Sequence, residues 1–410
     1  MAGEAGPPPY RQIPIYLTTS TLPPRNQTPP DYVLPIYGPE RAVFFMKKLL
    51  VWLTALMLAC GMLPAIADGN TLGLEILARR YDGEHNQIIS PVSLNYALAM
   101  ALEGAKGETK AELEEALAHV DMSTFNMPLA EAGLKWANAA FAREDLPLHE
   151  DYADALKARF AAELFPLDDA SRVNAWVDEH TDHLIDKLVD DIDPDIRFML
   201  INAIAMDAKW AHPFAFEDTW ADTFHAPSGD VEADFMHDTF FMTYGENDSA
   251  QYIRLNYRDS GLYMLIALPR SDDLSALLDG IAKGGLDWFK DMAPREVALT
   301  LPKLDISASN MLSGDLMALG IKKAFTDDAE FPGISQQPLK ISDVLQKARV
   351  QLDEEGTRAA AVTAVMMDAA GCAPDEEPPT PFIADRPFAM LIAEETTGAV
   401  CFAGAVCDPS

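Results

Sequence analysis

His180 and His183 stand three residues apart with Asp178, Glu179 and Asp182 around them, the densest grouping of proton-transfer and metal-ligating side chains in the chain. On one helix face such a pair could share a metal ion, but the same spacing on an exposed, charged face is an ordinary solvated surface, and that is the expectation. No G-x-S-x-G, H-E-x-x-H, C-x-x-C, G-x-G-x-x-G or phosphate-loop pattern occurs. Among 64 Asp and Glu residues no pair stands out as an acid and its base. An enzyme therefore has no positive support in the motifs, and neither a metal nor a cofactor is expected.

A different pattern runs from Asp353 to Met367: an acidic clasp, Gly356, then small and β-branched residues that could lie buried on both faces of a sheet. By parity, Thr357, Ala359, Ala361, Thr363, Val365 and Met367 form one strand face; Arg358, Ala360, Val362, Ala364, Met366 and Asp368 form the other. The first face is free of charge, as insertion between two strands would require. Gly356 would be the hinge, since a residue without Cβ changes φ and ψ at little steric cost. An Ala-rich helix or an ordinary core strand fits the same residues. Acidic, Pro-rich sequence follows at Pro374 to Pro381, so a buried-strand sequence stands where a loop is expected.

The elements that must carry this segment change character along the chain. From Leu72 to Ala118 the pattern is helical, broken at Ile88 to Ser93, with Thr109 to Leu117 amphipathic, and Val173 to Leu188 also reads as helix. Strand-like runs then follow at Met199 to Met206, Tyr252 to Leu255, Leu262 to Leu268, Val297 to Leu301, Ala348 to Leu352, Phe388 to Ala393 and Ala399 to Val406, separated by turn residues. One helix, Leu312 to Leu319, interrupts them before Gly320. Helices mostly early and strands mostly late define an α+β domain.

The chain has 410 residues and a formal net charge of −33. That charge argues against nucleic acid as a partner, because phosphate binding needs clustered Lys and Arg. Met46 to Ala59, with Lys47 and Lys48 ahead of an apolar run, has the form of a secretory signal, and Ala65, Ile66 and Ala67 supply a small-x-small cleavage site before Asp68. The division expected is a Pro-rich leader at 1–45, a signal at 46–67 and one domain at 68–410. Translation from Met46 would make the leader an assignment artefact; translation from Met1 would make the run from Leu49 an uncleaved anchor with Arg41, Lys47 and Lys48 on its cytoplasmic side. Lipid attachment at Cys60 is a further variant, which Met57 fits poorly. No later apolar run reaches the roughly 18 to 20 residues of a spanning helix, so an exported protein without a membrane partner after cleavage is expected. Cys372, Cys401 and Cys407 have neither zinc nor redox spacing; Cys401 and Cys407 read as packed thiols and Cys372 as a loop thiol.

The order of short motifs resembles the serpin family over about Leu72 to Pro409. Asn86, Ser90 to Leu94, Ala97 to Met100 and Gly104 to Thr109 come first, followed by Asn138 and Ala139, Asn174 to Val177, Ile201 to Ile204, Lys209 and Trp210, and Pro213 and Phe214. Leu268 and Pro269, Leu301 to Lys303, Leu319 and Gly320, Phe325, Phe331, Asp385 to Phe388, and Gly398 with Phe402 to Gly404 complete the order. The resemblance implies a bacterial-type exported serpin: early helices, a large central sheet, smaller sheets and an exposed reactive-centre loop at about 356–384.

In that family the loop is bait for a protease. The resemblance makes Glu354, Glu355, Gly356, Thr357, Ala359 and Ala361 the loop hinge and Ala370-Gly371 the reactive bond, with Gly371-Cys372 one residue on as the alternative. It makes Ser90, Ser93, Asn202 and Gln346 the shutter beneath the sheet, with Gln346 where many members have His; Gln keeps hydrogen bonds there without the pH response of an imidazole. The partner implied is a serine protease, held by a monomeric inhibitor as a covalent acyl complex after the loop inserts as a strand. At 3.3 Å per residue, a strand from Gly356 to Ala370 would span roughly 46 Å. Ala before the bond suits elastase-like or subtilisin-like proteases rather than trypsin-like ones. A non-inhibitory binding or carrier serpin and a cysteine-protease inhibitor are the competing readings. Arg358, where inhibitory members usually have Glu, falls on the outward face of the inserted strand, and the acidic, Pro-rich tract reads as a solvated spacer.

Overall fold

The computed structural model describes residues 68–117, 120, 134–271, 273–357 and 378–409. The leader, the signal segment, Cys60, Cys372 and the loop residues Arg358 to Glu377, including Ala359, Ala361, Ala370 and Gly371, lie outside the described residues.

Three early helices are α1 (Asp68–Arg80), α2 (Pro91–Gly104) and α3 (Gly107–Ala116), with the short strand β1 (Gln87–Ile89) between the first two. α2 starts where it does because Pro91 sits in its first turn and the Ser90 hydroxyl accepts from the Ser93 N–H. Its sequence is apolar nearly all round, and it is buried nearly all round. Cys401 and Cys407 are buried free thiols; burial pushes both upward, Cys407 to about 11.

The central strands are β2 (Leu134–Ala142), β3 (Glu163–Pro166) and β4 (Phe198–Met206), which pair in the order β3-β2-β4. Across β4, Ile204 and Met206 enter the main core, while Ile201, Ala203 and Ala205 enter a second core with Phe141 and Trp176. Burial on both faces explains why the run from Met199 lacks polar alternation. A second helix pair comprises α4 (Glu150–Phe160) and α5 (Ala170–His180). α5 ends eight residues short of the Leu188 expected from periodicity. Thr181 donates its hydroxyl back to the Val177 carbonyl, and Asp182 and His183 adopt left-handed conformations that end the helix. Leu184, Ile185 and Val189 still pack into the second core, so their apolar spacing imitates a helix the backbone does not form.

The remaining strands are β5 (Ala208–Lys209), β6 (Thr219–Ala226), β7 (Gly229–Glu246), β8 (Ala250–Asn256), β9 (Leu262–Pro269), β10 (Ala293–Pro302), β11 (Leu304–Met311), β12 (Leu345–Leu352), β13 (Gly356–Thr357), β14 (Thr380–Ile383), β15 (Phe388–Glu394) and β16 (Val400–Val406). α6 (Ser275–Gly284) and α7 (Ser313–Ala318) fall among them. β1, β16, β15, β9, β8, β7, β10 and β14 form one sheet in that order, with β6 on β7; β11, β12, β13 and β5 form another. The α+β class and its ordering agree with expectation.

Candidate functional site

β4 and β12 lie side by side, yet no ladder joins them among the described residues. Among the described residues the gap is bridged at one end, where β13 pairs with both sides: Thr357 opposite Leu352 of β12 and opposite Ala208 of β5, antiparallel in each case. Beyond this two-residue bridge a cavity opens, lined by Leu200 and Asn202 from one wall, Leu345 and Gln346 from the other, and Ser93 and Ala97 of α2 as its floor. The arrangement is a sheet with a strand-width slot whose first two positions are already filled.

Gly356 is dictated by contact rather than by an unusual backbone angle. A Cβ there would lie 2.2 Å from the Ala208 carbonyl oxygen and 2.7 Å from the Lys209 Cα, too close for any other residue. The clasp before it is bonded throughout. The Asp353 carboxylate accepts from the N–H groups of Glu355 and Gly356, and the Asp353 N–H donates to the Gly356 carbonyl. Trp210 donates its backbone N–H to the Glu355 carbonyl at 2.8 Å and its indole N–H to the Asp353 carbonyl at 3.0 Å, while Phe214 donates to the Glu354 carbonyl at 2.8 Å. The buried Glu354 carboxylate holds the Lys303 ammonium at 3.1 Å, and Lys209 stands 3.7 Å from Glu355. Burial raises the Asp353 carboxyl above its ordinary value, aided by the neighbouring Glu354 and opposed by its two backbone donors and Lys303.

Thr357 is 2% exposed, and its hydroxyl shares a 2.6 Å hydrogen bond with Tyr257. Tyr257 in turn stacks on Trp210, ring centroids 4.4 Å apart and planes 15° apart. Burial pushes the Tyr257 hydroxyl well above the usual phenol range, so it stays protonated.

The four residues expected beneath the slot fall into two networks. Gln346 clasps Ser90 from both sides, its carbonyl accepting from the Ser90 N–H and its amide donating to the Ser90 carbonyl, each at 2.9 Å. Ser93 joins through the Ser90 hydroxyl. Asn202 instead donates to the Asn138 carbonyl oxygen at 2.7 Å, and Asn138 donates on to the Phe160 carbonyl. The Asn202 carbonyl oxygen is buried without a hydrogen-bond partner. Sequence reasoning passed over Asn138 as a member of this network, although a lone amide in the apolar run Trp136 to Phe141 was a usable signal. Tyr257 gave no such signal.

His180 and His183 do not share a face. His180 sits on Trp176 with Glu163 as its carboxylate partner, and His183, past the helix end, bonds Asp178 at 2.7 Å. Among the described residues no cluster of His, Cys, Asp and Glu could hold a metal ion.

A slotted sheet with Gly356 and Thr357 paired into its open end is the arrangement to set beside known proteins. A family model described as serpin (serine protease inhibitor) matches residues 68–409. An uncharacterised serpin-like protein of Thermococcus kodakarensis is 31% identical over 368 residues, covering 84% of this chain and 86% of its own. Iripin-2 of Ixodes ricinus is 31% identical over 394 residues, covering 88% and 98%. The native-state structure of the thermophilic serpin tengpin matches with a TM-score of 0.75 at 27% identity, covering 83% of this chain and 93% of that one. The chain belongs to the serpin family, whose members are generally protease inhibitors rather than enzymes. Its relatives include archaeal, animal and plant proteins, so the similarity does not mark a bacterial type.

Proposed function

We propose that this protein is an exported, monomeric suicide inhibitor of serine proteases that prefer small residues, with Ala370-Gly371 as the bond attacked. The observation that carries the reading is β13, two residues paired on both sides at the mouth of a slot that no other described strand fills. Continuing those two ladders by their own register would bring Ala359 between Val350 and Met206, Ala361 between Ala348 and Ile204, and Thr363 between Gln346 and Asn202. Small residues would then meet the walls wherever the slot is lined by Val350, Met206 and Ile204, and the one hydroxyl would arrive at the two amides. The unpartnered Asn202 carbonyl oxygen would gain a donor.

The chemistry belongs to the protease. Its serine attacks the Ala370 carbonyl, the Gly371 amine leaves, and the acyl-enzyme persists because insertion moves the attached protease away before water can release it. Each new backbone hydrogen bond contributes on the order of 1 kcal/mol, so a dozen such bonds with apolar burial could drive the displacement. The sequence of Thr357, Ala359 and Ala361, without a bulky or charged residue, favours this over a carrier role.

Mixing the protein with pancreatic elastase or subtilisin and running denaturing electrophoresis with mass spectrometry tests the reading. An SDS-stable complex with release of a peptide beginning at Gly371 supports it, whereas complete cleavage without a complex sinks it.

A further inference from the structure

The large apolar side chains most exposed to solvent among the described residues include Phe241 (72%), Phe216 (57%) and Trp220 (49%), all on or beside β6 and β7. Phe241 lines a cleft created by strand divergence. β7 and β8 pair from Glu246 and Gln251 to Thr243 and Arg254, then part, because β7 follows β10 instead. The fork leaves a cleft of about 350 Å³ walled by Phe214, Phe240, Phe241, Met242, His212 and Arg254. His212 stacks on Phe240 with centroids 4.0 Å apart and is held by Asp238 at 2.9 Å; Trp220 stacks on His237 with centroids 3.6 Å apart. Phe240 and Trp220 are thus held by a stacked ring before any partner arrives.

The cleft lies between the two roots of the loop. Its Phe214 wall donates to the Glu354 carbonyl, in the turn between β12 and β13. On the other side Val297 of β10 pairs at once with Phe240 and with Thr380, where the chain returns, placing Phe240 about 10 Å from Thr380 at the usual strand spacing. A protein gripping the loop between these roots overlies the cleft, since a stable inhibitor interface occupies about 800 Å² on each partner, more than a short extended loop supplies. Exposed Glu217, Asp218 and Asp222 flank Phe216 and Trp220 at one side of this face, so it matches a partner with an apolar knob and a basic edge.

We infer that this face, centred on Phe241 and the cleft beside it, is a second docking site for the attacking protease, fixing how fast it engages the loop and leaving the fate of the acyl-enzyme untouched. The inference rests on the inhibitor reading above. Its test uses Phe241→Ala and a triple variant, Glu217→Gln with Asp218→Asn and Asp222→Asn, against subtilisin and pancreatic elastase. With at least one of these proteases, Phe241→Ala lowers the second-order rate of complex formation by about fivefold or more while the inhibitor consumed per protease stays the same, as loss of an aromatic anchor does. With the same protease, the triple variant flattens the dependence of that rate on salt. Unchanged rates with both proteases overturn the proposal, as does a wild-type dimer in sedimentation that Phe241→Ala dissociates, which would assign the face to a second copy. Should the wild type be cleaved without forming a complex, the inhibitor reading fails by itself; the docking site is then read from the KM of cleavage, which Phe241→Ala raises if the site exists and leaves unchanged if it does not.

Discussion

The hydroxyls of Tyr257 and Thr357 meet at 2.6 Å inside the sheet, so the residue after the loop's glycine is already fastened in a strand position. Tyr257→Phe removes one partner and leaves the buried Thr357 hydroxyl unsatisfied, a cost of about 1–2 kcal/mol. The loop root should open more often, with amide exchange around Glu355 to Thr357 faster by about 5- to 30-fold while exchange in β15 and β16 is unchanged. Equal protection in both proteins would show that the clasp of Asp353, Trp210 and Phe214 holds the root without the hydroxyl pair.

Thr357→Arg tests the same position by bulk and charge. The side chain is 2% exposed against Tyr257, and an unpaired guanidinium there would incur a desolvation cost of several kcal/mol. Entry of the loop should slow relative to hydrolysis of the acyl-enzyme, so the variant is consumed as substrate and the inhibitor needed per protease rises on the order of tenfold. The ratio of complex to cleaved product on denaturing gels measures it. Normal trapping by this variant would remove Thr357 from the set of residues that must enter the sheet.

Much of this was legible in the chain because its signals are local. Parity over Thr357 to Met367 marked a face able to enter a sheet; its first member, Thr357, is buried and paired on both sides, and the others lie outside the described residues. Gly356 was legible as special but for a different reason, since freedom of φ and ψ was the expectation and the approach of Ala208 and Lys209 is the fact; such a contact joins residues far apart in sequence. Asn202 was grouped with Gln346 and Ser90, but its amide turns to Asn138 across β2 and β4, a choice set by strand register. The helix was read through Leu188, eight residues past its end at His180, because burial of Leu184 and Ile185 preserves apolar spacing after the backbone has left the helix. β6 and β7 were missed because the exposed Asp222, Asp230, Glu232 and Asp234 and the half-buried Asp238 break up their strand signal.

Gln346 holds Ser90 by two bonds, and only one of them is irreplaceable. The Ser90 carbonyl also accepts from the Leu94 N–H, whereas the Ser90 N–H has Gln346 as its acceptor. Gln346→Leu keeps the volume and orphans that buried N–H, so the unfolding midpoint in urea should fall by an amount equivalent to about 1–3 kcal/mol. Gln346→Glu keeps an acceptor but turns an oxygen toward the Ser90 carbonyl, and should be destabilised more as pH rises and the carboxyl ionises. Stability unchanged in Gln346→Leu would show that water replaces the amide.

Asp353 gives the wild type a pH dependence of its own. Burial, the largest influence, raises its carboxyl above the ordinary value of 3.8 in spite of two backbone donors. A group whose folded pKa exceeds its unfolded one contributes stability that is fully present below the unfolded value and lost as pH rises through the folded value. At neutral pH the ionised side chain therefore weighs against the fold, while its Oδ1 still caps Glu355 and Gly356. Asp353→Asn keeps a carbonyl oxygen for those two N–H groups and removes the charge beside Glu354. The variant should be more resistant to urea than the wild type near pH 7, and the difference should shrink as pH falls through the raised pKa toward 3.8. A wild type that is the more stable protein at pH 7 would mean that the negative charge at Asp353 strengthens its two backbone hydrogen bonds by more than burial costs it.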